Sequence, residues 1–458
     1  MKQRKISPSM VKRFFSVAAA AVLTALLCMA ALFGTSLIPQ AAIAEGCLKS
    51  AEFFYEEELF PYLLSGQFNT RQDHYADCIL VNILYHIEEE APISSPVTAA
   101  YYHGEKENVN DSLYAAVKEE KEPNVDYFRY WHGSMALLRP LFLFTDIQGA
   151  RLLLGGLLLL MTLLASWAVA KRGERVLAVS YLAANVILQM WMCGFCIEYI
   201  TTPLVANGIL LVLLHLYDTW GEQREEMDHR VGRLMAVSGV LTCFVDFLTT
   251  ETLTVTLPLL FLLLLRFRDG RLQSCRKEMA TMAAGGLIWG LSYGGMFLLK
   301  WGIASALLGR EALLGALSSA GERIAGIVHL GSSSLDPEAT AGERLLGALA
   351  YNWGSLFPFR EEMRAGAALV FFFGLLFLCF AIIYLFRGKD FSGKTVVLCL
   401  LLSCVPYLRY MTLSNHSYLH YFFTYRAQLV GITALCYCTW RFGLSGLWGL
   451  CGFCRKKN

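Results

Sequence analysis

The chain has 458 residues, of which 56% are hydrophobic and only 17% are charged, and its mean hydropathy is +0.47. Soluble domains carry about 25% charged residues, so this composition excludes an ordinary soluble domain. The net charge of +2 gives no sign of nucleic-acid binding, and we expect none.

Apolar stretches long enough to cross a bilayer recur along the chain. They predict an all-α, polytopic membrane protein with about ten transmembrane helices in a single membrane domain over 1–458. The predicted spans are 14–38, 147–170, 176–197, 203–217, 234–250, 252–266, 279–300, 366–386, 394–412 and 424–441.

The positions of Lys and Arg predict the orientation, because cytoplasmic loops are enriched in both residues. Six segments that all fall on one side of the membrane in this arrangement, including both termini, carry 23 of the 39 basic residues. This pattern favours a multi-pass protein of the cytoplasmic membrane with both termini in the cytoplasm. The segments are 2–13, 171–175, 224–233, 266–277, 387–394 and 441–457.

The N-terminus has an alternative interpretation as a cleaved signal peptide. It has a basic start, an apolar core and a cleavage-like Ala42-Ile43-Ala44. The apolar run is long enough to span a bilayer, however, and this site lies well beyond it. We therefore expect a retained first helix.

Two regions on the outer side are too long to be simple connectors. The first, 45–135, carries 6 basic and 17 acidic residues, and it reads as amphipathic helices at 51–64 and 73–88. The second is 301–365. Cys47 and Cys78 lie in the first region and could form a disulfide, although their spacing does not establish one.

Asp73 and Asp77 are the first candidate site residues. Their i,i+4 spacing puts both carboxylates on one helix face, with His74 between them. Such a pair can act as a general base or hold a divalent cation through oxygen ligands. The alternative is a solvated first turn, in which acidic residues favour the helix N-terminus.

A second group lies before the second predicted span and consists of Arg129, Trp131, His132 and Arg139. Arginine suits bidentate binding of phosphate, which makes this group a candidate substrate site. Trp and Tyr residues next to the end of a membrane span are also ordinary interfacial anchors.

Acidic residues at the ends of predicted spans form a third group. Asp246 and Glu198 would be functional candidates within a membrane, with Asp246 the stronger of the two. A shift of the spans by a few residues would make both ordinary interfacial groups.

The fourth group comprises Asn415, His416, His420, Tyr425 and Arg426. Polar groups beside hydrocarbon are costly unless they line a wet cavity or bind a ligand. Aromatic rings with His and Asn suit a sugar, and Arg426 suits an anion. The two histidines lack an acidic third ligand, so no metal site is predicted here. A hydrogen-bonded structural cluster is the alternative.

The large outer loop of amphipathic helices after the first span, with its acidic residues, resembles that of membrane-embedded GT-C-type glycosyltransferases. The resemblance implies a lipid-phosphate-linked sugar donor, with Asp73 or Asp77 as the base. The departure is that Glu45 is the acid nearest the first span and no Asp-x-Asp pair follows it. The combination of 129–133 with Arg139-Pro140, 246–249 and 415–426 carries a second, narrower resemblance to uncharacterised multi-pass membrane proteins of Firmicutes, encoded beside cell-surface polysaccharide genes.

The sequence-based hypothesis is a GT-C-like transferase that moves a sugar from a polyprenyl-phosphate donor to a cell-envelope or lipid-linked glycan at the outer face. A transporter or flippase of lipid-linked saccharides is one alternative. A non-catalytic envelope assembly protein is another. The hypothesis requires 73–77, 129–139, Asp246 and 415–426 to converge on one cavity.

Overall fold

The computed structural model describes residues 8–65, 67–219, 224–325, 340–357, 365–387 and 391–444. In these ranges the chain is helical and forms no strand beyond the isolated bridges Tyr62–Arg71 and Tyr101–Val125. The all-α class predicted from the sequence is confirmed.

The first third of the chain contains one long helix followed by short helices. The predicted helix over 51–64 is wrong in its extent, because the helix ends at Tyr55, before three consecutive glutamates that oppose the helix dipole. The helices are α1 Pro8–Ser36, α2 Gln40–Tyr55, α3 His74–Tyr85, α4 Ser94–Thr98, α5 Val109–Lys118 and α6 Met135–Phe142, with a 3₁₀ turn at Phe68–Thr70.

The middle of the chain forms the main helical bundle. Its helices are α7 Ile147–Lys171, α8 Arg175–Ile187, α9 Ile197–Tyr217, α10 Arg224–Val245, α11 Leu253–Arg268, α12 Cys275–Leu308 and α13 Arg310–Ala325, with a 3₁₀ segment at Met190–Phe195. Nearly all of α11 is buried, as expected for a helix that is apolar on every side.

The last third adds one apolar helix and a series of short helices. These are α14 Ala341–Gly354, α15 Ala365–Leu385, α16 Gly393–Ser403, α17 Val405–Thr412, α18 Ser414–Leu419, α19 Tyr421–Thr424 and α20 Leu429–Cys438, with a 3₁₀ turn at Tyr425–Gln428 and a π-helical end at Thr439–Leu444.

Five helices in the described part of the chain are long and apolar enough to cross a membrane. Together they make this a membrane protein, although the predicted number of ten spans stays a prediction. The five spans are Val11–Ser36, Ile147–Lys171, Ile197–Tyr217, Cys275–Leu308 and Gly393–Thr412, and two shorter apolar helices are Arg175–Ile187 and Val370–Leu385.

Three of the basic segments, 224–233, 266–277 and 387–394, meet at one end of the bundle. The Arg224 guanidinium contacts Glu278 at 2.7 Å, and Arg266 contacts the same carboxylate at 3.3 Å. Lys394 donates to the carbonyl of Gln273, which brings the start of α16 to the same end. These three segments, which the sequence predicts on one side of the membrane, therefore lie together in the structure.

Cysteines 47 and 78 are both free in the structure, so the disulfide considered for them does not form here. Instead, the Cys78 thiol donates to Asn110 Oδ1 at 3.0 Å. The asparagine amide in turn donates to the carbonyls of Phe54 and Glu57, which joins α5 to the end of α2.

Gly133 allows the 129–133 segment to lie against the end of α10. Its N–H donates to the carbonyl of Phe244 at 2.9 Å, and an added Cβ would lie 2.3 Å from that oxygen. We expect Gly133→Ala to lower the free energy of unfolding by about 1–3 kcal/mol, since the clash is with backbone. Gly156→Ala in α7 is the control, because no atom lies within 4 Å of the position that its Cβ would take. Equal thermal stability of the two variants in detergent would contradict this account.

Candidate functional site

The loop between α10 and α11 is held by Asp246. Its carboxylate accepts hydrogen bonds from the backbone N–H groups of Leu248 and Thr249 and from the hydroxyls of Thr249 and Thr202, at 2.6 to 3.0 Å. These bonds tie the loop to α9 and support Leu248 in a left-handed conformation, with φ of 64°. Asp246 thus shapes the site rather than facing a ligand.

A buried ion pair fixes this loop from its other side. Arg409 Nε donates to Glu251 at 2.7 Å, and Nη1 donates to Ser417 Oγ at 2.8 Å. The second terminal nitrogen donates to the carbonyl of Leu248. His416 Nε2 lies 2.9 Å from the same carbonyl, and burial keeps the pKa of His416 well below its usual value. Neutral His416 therefore donates to Leu248 and joins α18 to the loop.

Asp77 is fully engaged by protein donors. Arg151 Nε donates to one oxygen at 2.8 Å, and the backbone N–H of Ile197 donates to the other at 2.9 Å. The second bond caps the N-terminus of α9, where the positive end of the helix dipole favours a carboxylate. A divalent cation at Asp77 would have to displace these donors.

Asp73 also has partners on both oxygens. One caps α3 through the N–H of Ala76 at 2.9 Å, and the other accepts the hydroxyl proton of Tyr199. Burial raises the pKa of Asp73, while the bonds from Tyr199 and Ala76 oppose that shift. Asp73 and Asp77 are near one another, as their spacing predicts, but both hold helices in place.

Glu198, in the first turn of α9, differs from these carboxylates. It is half-buried, and no hydrogen-bond donor contacts its carboxylate within the described ranges. The charges that act on it are those of Asp73, Asp77, Asp246 and Arg323. Three acids and one arginine, from three segments, therefore act electrostatically on a carboxylate that has no hydrogen-bond partner within the described ranges.

Glu198 is electrostatically coupled to side chains from several segments. Its charge also acts on Tyr75 and Tyr130, and Arg323 lies over the Tyr130 ring at 5.5 Å. The charges of Arg71 and Arg323 both act on His420. We call this group the polar chamber; it comprises Arg71, Asp73, Tyr75, Tyr130, Glu198, Arg323 and His420.

Two arginines meet beside the chamber without a carboxylate between them. Arg129 Nη1 donates to Ser319 Oγ at 3.0 Å, and Arg323 Nη1 donates to the Ser319 carbonyl at 3.3 Å. Neither forms an ion pair within the described residues, and the Nε atom of each is buried without a partner. Two guanidinium groups that bond the same serine and have no carboxylate partner make a site suited to an anion.

Both arginines line a groove of about 550 Å³ between α12 and α13. Leu291 and Leu298, on the α12 wall, are 68% and 66% exposed, so the groove opens onto the apolar surface of the bundle. We call it the arginine groove; its other lining residues include Tyr130, Leu248, Tyr293, Phe297, Trp301 and Ala316.

Aromatic rings pack beside His420, one of the residues of the polar chamber. His420 lies 4.5 Å from the His416 ring and 5.3 Å from Phe423, whose ring packs at 4.4 Å on Tyr199. Burial, with Arg323 and other cations nearby, lowers the pKa of His420 to about 3. His420 is therefore neutral at physiological pH and can exchange hydrogen bonds with a ligand.

The other residues of the 415–426 segment are bound to the protein. Asn415 Nδ2 donates to the carbonyl of Glu322, and Tyr425 donates to that of Leu188 at 3.1 Å. Arg426 donates to the carbonyls of Phe422 and Asn69. Arg426 is 1% exposed and Tyr425 is fully buried, so both link segments of the fold.

Of the four predicted residues Arg129, Trp131, His132 and Arg139, Arg129 alone lines the arginine groove. Trp131 is buried and donates to the carbonyl of Met296 at 2.9 Å. His132 bonds the carbonyl of Tyr127, and burial with Lys300 nearby lowers its pKa to about 3. Arg139 is also buried and lies apart from the chamber. Its guanidinium donates to carbonyls at the ends of α1 and α3, a helix-capping role.

Sequence reasoning overlooked two of the cations here. Arg323 falls in the 301–365 region, which has no motif around it, and Arg71 precedes Asp73 without any pattern. Arg71 lies between the rings of Phe60 and Phe422, at 4.1 and 4.5 Å. The sequence feature that could have identified these two residues is an arginine among apolar and aromatic neighbours. No group of three or more potential metal ligands is found in the described part of the chain.

The apolar helices and the charged side chains packed between them together define a helical membrane protein with an internal cluster of polar groups. The chain matches no protein-family model, and no curated protein or solved structure is significantly similar to it.

Proposed function

We propose that this protein is a membrane glycosyltransferase that uses a polyprenyl-phosphate-linked sugar, as GT-C-type enzymes do. The observation that carries this proposal is the unpaired Arg129–Arg323 couple at the end of an apolar groove. A long prenyl chain suits the groove, and a phosphate suits the two guanidinium groups.

Glu198 is the proposed general base. An acceptor hydroxyl bound in the chamber gives its proton to Glu198 as its oxygen attacks the anomeric carbon of the donor sugar. The bond from that carbon to the phosphate oxygen breaks, and the phosphate leaves with the electron pair. Arg129 and Arg323 stabilise the charge that develops on the phosphate.

The sugar would lie against the aromatic wall of the chamber. Neutral His420 can hydrogen-bond sugar hydroxyls, and the rings of Phe423 and Tyr199 supply apolar surface next to it. Asp73, Asp77 and Asp246 would position this wall through the helices and loop they hold. This distribution of roles replaces a base at Asp73 or Asp77 by one at Glu198.

The proposed location is the outer face of the cytoplasmic membrane, with both termini in the cytoplasm. The positive-inside rule supports it, since three basic segments meet at one end of the bundle and the acidic region 45–135 is predicted on the other side of the membrane. The acceptor would be a cell-envelope or lipid-linked glycan.

Binding of undecaprenyl phosphate to the purified chain in nanodiscs tests the donor site. We expect Arg323→Ala and Arg129→Ala each to weaken binding by about 10- to 100-fold, because each removes a charge-assisted contact. Arg310→Ala is the control, since Arg310 begins the same helix α13 but is exposed. Equal binding by the Arg323 and Arg310 variants would refute the proposed phosphate site.

A further inference from the structure

A second groove lies on a different side of the site, along α7, α8 and the 190–195 segment. It has a volume of about 860 Å³. Leu152, Leu159 and Leu163 line it from α7 and are 78%, 60% and 48% exposed. Like the arginine groove, it therefore opens onto the apolar outer surface of the bundle.

The polar end of this groove differs from the arginine groove in charge. Gln72 and Gln148 contribute amides, and Arg151 contributes a guanidinium whose charge is balanced by Asp77 at 2.8 Å. Asn185 also lines the groove, and its Nδ2 donates to the carbonyl of Tyr181 at 2.9 Å. Arg151 is 7% exposed, and its Nη2 atom is buried without a partner. Amides and a balanced ion pair suit a neutral, hydroxyl-rich head group better than an anion.

Aromatic rings also line the groove. Phe53 and Trp191 both line it, and Trp191 is 52% exposed. Aromatic faces beside amide groups can pack on sugar rings while the amides bond their hydroxyls. The lining thus matches a saccharide attached to a lipid.

The polar end also adjoins the chamber through two segments of chain. Gln72 lines the groove, and the next residue, Asp73, belongs to the chamber. Phe195 lines the groove three residues before Glu198, a separation of at most about 11 Å along an extended chain. Gln72 and Phe195 are therefore the lining residues that lie nearest along the chain to Asp73 and Glu198.

We propose that this groove, lined by Gln72, Gln148, Arg151, Asn185 and the exposed leucines of α7, binds the acceptor, and that the acceptor is a neutral lipid-linked saccharide. This inference rests on the proposed transferase function and names its second substrate class. The anionic donor would bind in the arginine groove and the neutral acceptor in the groove along α7 and α8. The charge of each head group would therefore decide which groove it enters.

Photolabelling of the full chain in nanodiscs tests this assignment. The probe is a diacylglycerol glucoside with a diazirine in one acyl chain, and labelled peptides are mapped by mass spectrometry. We expect label on α7 and α8, reduced about tenfold by Leu159→Trp, which fills the groove. Leu160→Trp is the matched control, because Leu160 is 52% exposed on the same helix but lies outside the groove. Unlabelled diglucosyl diacylglycerol should compete, and phosphatidylglycerol should not.

Equal effects of the two tryptophan variants, or equal competition by phosphatidylglycerol, would overturn the proposal and indicate ordinary surrounding lipid. Undecaprenyl phosphate binding is measured on the same samples. If that binding persists while selective glycolipid labelling fails, the acceptor assignment is refuted and the donor site stands.

Discussion

Glu198→Gln is expected to lower the rate of sugar transfer by about 10²- to 10⁴-fold, the usual contribution of a general base. Gln keeps the size of the side chain but cannot accept the proton of the acceptor hydroxyl. Since no donor contacts this carboxylate within the described residues, its loss should leave the fold intact. The measurement is the surface glycan of a deletion strain that carries each variant, with protein level and thermal stability recorded in parallel.

Glu322→Gln is the control for this experiment, because Glu322 is an exposed acid on α13 close to the 415–426 segment. The variant should restore the glycan fully. Undecaprenyl phosphate binding should be unchanged in Glu198→Gln, since the phosphate site lies at the two arginines. A normal glycan in the Glu198 variant would refute the catalytic assignment. It would favour a transporter, which needs the phosphate site but no base.

Arg409→Met should lower the free energy of unfolding by about 3–5 kcal/mol, the cost of leaving a buried charge without its partner. Glu251 is 4% exposed and Arg409 is 7% exposed, so neither gains much hydration when the other is removed. The same substitution releases Leu248 and Ser417. Thermal unfolding of the purified protein in detergent measures the effect.

The double variant Arg409→Met, Glu251→Leu should be more stable than Arg409→Met alone, because no unpaired charge remains. Arg13→Met is the surface comparison. Arg13 pairs with Glu225 at 3.2 Å, but the two side chains are 40% and 85% exposed, so a change below about 1 kcal/mol is expected. Equal destabilisation by Arg409→Met and Arg13→Met would show that the buried pair does not hold the loop.

Long apolar helices were predictable because hydropathy is a local property of the chain. The predictions over 14–38, 147–170 and 279–300 fall on α1, α7 and α12. Two other predicted spans are divided. The 176–197 run ends as α8 at Ile187, since Asp77 starts a new helix at Ile197. The 394–412 run is long and apolar enough to span as a whole, but its helix is interrupted at Cys404, between α16 and α17, just before Pro406, which can begin a helix but interrupts one that passes through it.

Candidate residues were predictable by type but not by role. Asp73, Asp77, Asp246 and His416 were singled out because polar groups are rare and costly in an apolar chain. That argument does not distinguish a polar group that binds a ligand from one that holds the fold. Arg139 illustrates the difference, since its chemistry suits phosphate but its guanidinium caps helices.

The sequence by itself determined that this is an all-α membrane protein, and it indicated where basic loops and outer polar segments lie. Only the tertiary structure decided which carboxylate lacks a partner. Arg151 and the N–H of Ile197 donate to Asp77 and lie 74 and 120 residues from it along the chain. The Tyr199 hydroxyl donates to Asp73 from 126 residues away. Arg129 and Ser319 meet across 190 residues. Pairing over such distances depends on how the helices pack, so no local pattern distinguishes Glu198 from the acids around it.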